Sequence, residues 1–186
     1  LPTSLFGIME EADDYYLPPI TGTYLRLTRF IISIVTFFIT PTILLLTMYP
    51  ERIPEWLSFI KLQEYTNVPL LFQFLILEIA VDGLKLAAVN TPSMLSTPLS
   101  IIAGLALGEY AVSSGWFNAE AMLYMAFVAL SNYTQPSYEL GYALKFFRMI
   151  TVILTGLFGL SGLITGTLLF IIALLTNQTL DGRRRY

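Results

Sequence analysis

An apolar segment long enough to cross a membrane carries three charged residues on one face, and this combination restricts the possible fold more than any other feature. Residues 69–89 read PLLFQFLILEIAVDGLKLAAV and contain Glu78, Asp82 and Lys85. At about 100° per residue, these three positions fall within about 60° of one another on a helix. An ionised side chain at the bilayer centre costs about 2.5–3.5 kcal/mol, whereas each Leu, Ile or Phe gains only about 0.3–0.6 kcal/mol. The charged face is therefore predicted to face protein, water or a passing ion.

Two interpretations of this charged face stay open. Ionisable residues inside a membrane segment usually mark a transport pathway, which makes Glu78, Asp82 and Lys85 candidate ion-pathway residues. Alternatively, Lys85 reaches the membrane interface, or Asp82 and Lys85 form a structural pair that holds two helices together. Both interpretations place the segment in a membrane.

The composition of the chain is typical of an integral membrane domain. Of its 186 residues, 55% are hydrophobic and 12% are charged, compared with about 45–50% and about 25% in soluble domains. The formal net charge is −3, which gives no electrostatic footprint for nucleic acid, so no nucleic-acid partner is predicted. Cysteine and histidine are absent, which removes thiol nucleophiles, imidazole bases and the usual zinc ligands. No enzymatic activity, cofactor or metal site is predicted.

The predicted fold is all-α: a polytopic helical membrane protein with broken or short helices and amphipathic interface helices. The chain begins at Leu1 without an initiating Met, which indicates part of a longer protein. Residues 1–25 are predicted to be a cytosolic approach segment, residues 26–176 a transmembrane domain and residues 177–186 a basic cytosolic tail. Segments 50–68 and 137–149 have an amphipathic pattern. The apolar runs of the domain are 28–49, 69–89, 99–112, 119–131 and 150–176.

Prolines and glycines indicate where helices break and where they pack closely. The prolines predicted to kink or interrupt helices are Pro41, Pro92, Pro98 and Pro136. The glycines predicted to allow close helix packing are Gly104 and Gly108, in a GxxxG pattern, and Gly156, Gly159, Gly162 and Gly166, on one face of the last run. Glu109 follows Gly108 directly. It is either a second intramembrane acid beside a discontinuous helix, and so an ion-pathway candidate, or an interfacial residue beyond the helix end.

The positions of Lys and Arg predict the orientation of the chain. Arg26 and Arg29 flank the first run and residues 183–185 are all Arg, so the positive-inside rule puts both ends in the cytosol. The number of crossings is then even, and one of the five runs does not cross. The shortest runs, 99–112 and 119–131, are the candidates. Lys145 and Arg148 indicate the cytoplasmic side for the amphipathic segment that contains them.

Several long motifs resemble the A-subunit family of bacterial spore germination receptors. The resemblance covers nearly the whole chain and is strongest to the stage V sporulation protein AF branch of that family. It is carried by Asp13-Asp14-Tyr15-Tyr16, Leu25-Arg26-x-x-Arg29-Phe30, Asn67-Val68-Pro69, Leu77-Glu78, DGLKLAAVNTPSMLSTPLS (82–100), LGEYAVSSGWFN (107–118) and SNYTQPSYELGYALKFFRM (131–149).

This resemblance implies a membrane domain that follows a large cytosolic region in full-length members. It also implies oligomers in the spore inner membrane, other germination membrane proteins as partners, and a pore that releases small ions early in germination. Nutrient-receptor members tend to carry a Leu-Arg-Glu-Ala-Gly-like stretch after the position of Asp82, where this chain has LKLAA at 84–88. The departure favours an accessory or amplifying channel over direct pairing with nutrient-sensing subunits.

The residues and the resemblance together predict a path for small monovalent cations in a homo-oligomer that contacts membrane lipid. Copies arranged around an axis would repeat Glu78 or Asp82 as a ring of carboxylates, and such rings favour cations. Two rival functions remain. A proton-coupled transporter also places carboxylates near broken helices, and a scaffold subunit would use the same charges only as pairs between helices.

Overall fold

The computed structural model describes residues 16–60, 66–90, 102, 104, 106–135 and 137–176. All regular secondary structure in these ranges is helical, which confirms the predicted all-α class. The long helices are α1 (Pro19–Met48), α2 (Leu70–Asn90), α3 (Ala119–Tyr133), α4 (Tyr138–Phe158) and α5 (Leu160–Thr176).

Short helical turns occupy two of the connections. Pro50–Arg52 and Glu55–Ile60 are 3₁₀ turns, where the sequence predicted one amphipathic helix within 50–68. Each is closed by an i to i+3 hydrogen bond to a proline carbonyl: the N–H groups of Ile53 and Leu57 donate to Pro50 and Pro54 at 3.4 and 2.9 Å. Pro50 and Pro54 lack the N–H groups that a continuous α-helix needs, which explains the short turns here.

A π-helical turn, Ala106–Tyr110, runs into a single α-turn, Ala111–Ser113.

Helix α1 begins inside the predicted approach segment. Pro19 is its first residue, a position where the missing N–H of proline is not needed and its fixed φ suits the helix. The helix therefore starts nine residues before the apolar run 28–49 and continues through Pro41 to Met48. Residues 1–15, which make up most of the approach segment, lie outside the described residues, as does the tail at 177–186.

The chain forms two compact units. The first unit comprises residues up to Leu45 and from Leu130 onward, and the second comprises Leu46–Ala129. In the first unit, the Phe170 ring of α5 stacks on Phe37 of α1 with a centroid distance of 4.5 Å and contacts Phe147 of α4 at 5.5 Å. The buried apolar side chains of the second unit include Phe74 and Leu77 of α2 and, at helical spacing, Ala121, Met125 and Val128 of α3.

The last apolar run, 150–176, is two helices and not one. Gly159 ends α4 with φ of 62°, a left-handed conformation that favours glycine, and its N–H donates to the Thr155 carbonyl at 2.8 Å. Helix α5 then folds back on α4: Gly162 lies against the backbone of Leu154, and Gly166 lies against Thr151. The first half of the run therefore belongs to α4, together with the amphipathic segment 137–149, and the second half returns as α5.

Among the residues that the structure describes, two helices are long and apolar enough to cross a membrane, judged by length and composition. They are α1, with 30 residues, and α4, with 21. Helix α5 is also apolar but has 17 residues. Helix α2 has 21 residues and contains three charged residues.

Candidate functional site

The three charged residues of α2 lie on its sheltered side. Glu78 is 4% exposed, and Asp82 and Lys85 are half-buried. The exposed face of the helix consists of Phe72, Ile76, Ile79, Gly83 and Leu86. Each of the three charged residues has an interaction partner within the fold. Because a charge buried in a low-dielectric environment is costly unless it is compensated, this face is the strongest candidate site in the second unit.

Glu109 does not share this burial. It lies in the π-helical turn, and its side chain is exposed. A Cβ atom built on Gly104 or Gly108 would meet no atom within 4 Å, so the described residues make no close helix packing at this GxxxG pattern. Pro92 and Pro98, which precede this region, lie outside the described residues.

A buried glutamine joins the start of α2 to the start of α3, and the sequence analysis did not single it out. Gln73 is fully buried. Its Nε2 donates to Thr66 Oγ1 at 2.6 Å and to the Val68 carbonyl at 2.7 Å, and its Oε1 accepts from the Asn118 backbone N–H at 2.9 Å. A buried amide that satisfies three neighbouring groups holds them in one arrangement. Gln73 therefore positions the helix that carries Glu78.

We expect Gln73→Leu to destabilise the protein, because it removes these bonds and leaves the Asn118 N–H buried without an acceptor. Each such unsatisfied group costs about 1–3 kcal/mol, and thermal unfolding in detergent should shift down by about 2–4 °C per kcal/mol. Phe72→Leu, at the exposed neighbouring position, is the control and should unfold close to wild type. An unchanged unfolding temperature for Gln73→Leu would show that the amide does not hold the two helices.

In the first unit, two basic residues are buried where the sequence predicted an interfacial position. Lys145 is 5% exposed and Arg148 is 1% exposed, and each has an interaction partner within the fold. The opposite face of α4 is exposed and contains Tyr142 and Phe146. Over residues 142–148, α4 thus buries its basic side chains and exposes aromatic ones, the reverse of an interfacial helix.

The spacing of polar residues along α4 already indicated this burial. Thr151 and Thr155, both fully buried, lie within about 120° of Lys145 and Arg148 on α4. The positions therefore form one polar face at helical spacing. The hydroxyls of Thr151 and Thr155 donate to the carbonyls four residues earlier, at 2.8 and 2.7 Å.

Helix α1 has a matching row of buried hydroxyls. Ser33, Thr36 and Thr40 lie within about 60° of one another at the centre of its buried face. Ser33 Oγ accepts from Gln135 Nε2 at 2.7 Å. The following residue, Pro41, is buried inside the helix. Pro136, after Gln135, lies outside the described residues.

The glycines predicted for packing fall into three different settings. Gly156 is half-buried near the end of α4, and Gly159 forms the turn. Gly162 and Gly166 are the buried residues of α5 and face α4.

The described residues contain no group of three or more acidic side chains that could hold a metal ion.

Sequence comparisons show which known proteins this chain is similar to. The sequence profile of the Bacillus/Clostridium GerA spore germination protein family matches residues 1–183. The chain is 34% identical to stage V sporulation protein AF of Bacillus subtilis (strain 168) over 180 residues, which is 97% of this chain and 36% of that protein. It is 29% identical to spore germination protein GerQA of Bacillus cereus over 189 residues, and 27% identical to spore germination protein A1 of Bacillus subtilis (strain 168) over 185 residues.

These two alignments cover 100% and 98% of this chain, and 38% of each relative. The chain therefore spans somewhat more than a third of the length of each of these three relatives. No solved structure matches it.

Proposed function

Because the chain belongs to the Bacillus/Clostridium GerA spore germination protein family, we propose that it is the membrane-embedded part of a germination-complex subunit that forms a monovalent-cation channel. The channel is a homo-oligomer in the spore inner membrane, with membrane lipid and other germination membrane proteins as partners. It releases ions early in germination, in an accessory or amplifying capacity.

The observation that carries the proposal is the burial of Glu78 on the same face as Asp82 and Lys85. A carboxylate kept away from solvent, on a helix that is otherwise apolar, is costly to maintain and usually serves transport. Its own protomer covers Glu78, so the half-buried Asp82 is the acid that copies around an axis would repeat as a ring of negative charge, which attracts cations and repels anions. Lys85 adds one positive charge against two carboxylates, so the net charge of the face remains negative.

Membrane embedding is supported by the lengths of α1 and α4 and by the apolar character of α5. A 30 Å hydrocarbon core needs about 20 helical residues, and α4 meets this length. We propose that α1, α2, α4 and α5 cross, which makes four crossings and leaves both ends cytosolic. This replaces the expectation that a single one of five runs does not cross, because the last run is two helices. The helix α5 spans about 25 Å at 1.5 Å per residue, and a local thinning of the bilayer accommodates the difference.

The proposal is tested by recording currents from the full-length protein in planar bilayers, with subunit number measured by native mass spectrometry. We expect cation-selective currents from an oligomer. Saturable, substrate-dependent transport by a single protomer would indicate a coupled transporter instead. A well-assembled oligomer without current, alone and with its germination partners, would indicate a scaffold subunit.

A further inference from the structure

Thr40 is an exception among the buried hydroxyls of α1 and α4. Ser33, Thr36, Thr151 and Thr155 each donate to the backbone carbonyl four residues earlier, at 2.6–2.8 Å. Thr40 is only 1% exposed, yet its Oγ1 has no hydrogen-bond partner among the residues that the structure describes. A buried hydroxyl without a partner is costly, and it points to a ligand or a water at that position.

The residue after Thr40 adds a second group that needs a partner. Pro41 has no N–H, so the carbonyl oxygen of Phe37, four residues earlier, loses its helical donor. Phe37 and Thr40 are neighbours on the helix surface, about 4.5 Å apart along its axis. The Phe37 ring is held by stacking on Phe170. A hydroxyl and a carbonyl oxygen thus lie side by side within the helix.

A third such group lies at the other end of the hydroxyl row. Gln135 Nε2 donates to Ser33 Oγ, but Gln135 Oε1 is buried and has no partner among the described residues. From Ser33 to Thr40 the row extends about 10.5 Å, or two helical turns. We call the oxygens of Gln135, Ser33, Thr36 and Thr40, with the Phe37 carbonyl, the oxygen lane.

The chemistry of the oxygen lane selects its ligand. The side-chain oxygen of Gln135 and the carbonyl oxygen of Phe37 accept hydrogen bonds and cannot donate them, so an anion cannot satisfy them. Residues 30–48 contain no charged side chain, whereas divalent cations need carboxylate ligands. Neutral hydroxyl and carbonyl oxygens are the ligands that replace the hydration shell of a monovalent cation.

We propose that the oxygen lane binds a partly dehydrated monovalent cation within a single protomer, at Thr40 and the Phe37 carbonyl. The proposal rests on the proposed channel function only for the class of ion, a monovalent cation; the site itself is identified by the buried, unpartnered hydroxyl of Thr40.

Ion-dependent thermal unfolding tests the proposal without requiring a current. The full-length protein in detergent is heated in KCl, in RbCl and in N-methylglucamine chloride at equal ionic strength. A ligand that binds the folded state raises the unfolding temperature, and we expect K⁺ and Rb⁺ to raise it by about 2–4 °C relative to N-methylglucamine. Thr40→Val, which has the same shape but no hydroxyl, should lose this shift, whereas Thr40→Ser should keep it.

Thr155→Val is the matched control, because Thr155 is equally buried but its hydroxyl is already bonded to Thr151. It should retain the ion-dependent shift. The proposal is overturned if wild type shows no difference between K⁺ and N-methylglucamine, or if Thr40→Val keeps the shift. The oxygen lane would hold water alone if the unfolding temperature of wild type does not depend on the ion and Thr40→Val is more stable than wild type in every salt. Because this readout does not use conduction, loss of binding is distinguishable from failure of the proposed channel.

Discussion

Replacing both acids of the charged face, Glu78→Gln with Asp82→Asn, is expected to abolish the cation selectivity of the full-length oligomer. The side chains keep their size, so the change removes charge and little else. A carboxylate about 8 Å from an ion, at an effective dielectric of about 20, contributes about 2 kcal/mol. This energy corresponds to about a 30-fold change in relative occupancy of the path. Asp82 should have the larger effect, because it is half-buried, whereas Glu78 is covered within its own protomer.

The measurement is the reversal potential in asymmetric KCl, recorded from single channels in planar bilayers. Glu109→Gln is the matched control, since it removes an acid of the same unit whose side chain is exposed, and it should leave selectivity close to wild type. Unchanged ion release and selectivity in the double variant, with insertion and assembly intact, would refute the proposed path along α2. Exchanging Asp82 and Lys85 distinguishes a scaffold from a channel. A purely structural pair tolerates the exchange, whereas a conducting face does not.

Gly162→Ala is expected to destabilise the α4–α5 hairpin strongly. A Cβ at this position would overlap the carbonyl oxygen of Leu154, and backbone atoms cannot move aside as a flexible side chain can. Gly166→Ala should also destabilise the hairpin, because its Cβ would lie 2.6 Å from Thr151 Oγ1 and 2.8 Å from Thr151 Cα. Overpacking of this kind costs about 1–3 kcal/mol. The unfolding temperature in detergent should therefore fall by about 2–12 °C.

Gly141→Ala provides the control within the same hairpin. A Cβ at Gly141 would meet no atom within 4 Å, so the substitution should stabilise α4 by about 0.5–1 kcal/mol through its better helix propensity. Opposite shifts at Gly162 and Gly141 would attribute the loss to the close approach of the two helices. Equal shifts at both positions would contradict the packing described for α5.

Much of the helical architecture was predictable from local patterns. The apolar run 69–89 coincides with α2 to within one residue at each end, because a continuous apolar segment bounded by Pro69 has few alternatives. The break at Gly159 was not predictable from hydropathy, since the residues on both sides are equally apolar. Gly159 was identified as a packing residue, but its positive φ is visible only once α5 folds back on α4.

The buried side chains show the same division. The sequence placed Lys145 and Arg148 at an interface because basic residues usually seek water, and only the packed first unit shows them buried. The periodicity that continues from them to Thr151 and Thr155 carried that information, but it does not reveal which face of α4 is covered. For Glu78 the sequence and the structure agree. The cost of exposing a charge to lipid predicts that this side chain is sheltered, and the structure buries it.

The sequence alone determined the helical class, the membership of a spore germination family and the charged face of α2. These properties follow from composition, periodicity and residue identity, which do not depend on distant contacts. Only the tertiary structure decided which polar groups are buried, which of them are bonded, and where the last apolar run turns. Those properties depend on which surfaces meet, and a hydroxyl such as that of Thr40 becomes unusual only when its surroundings exclude water.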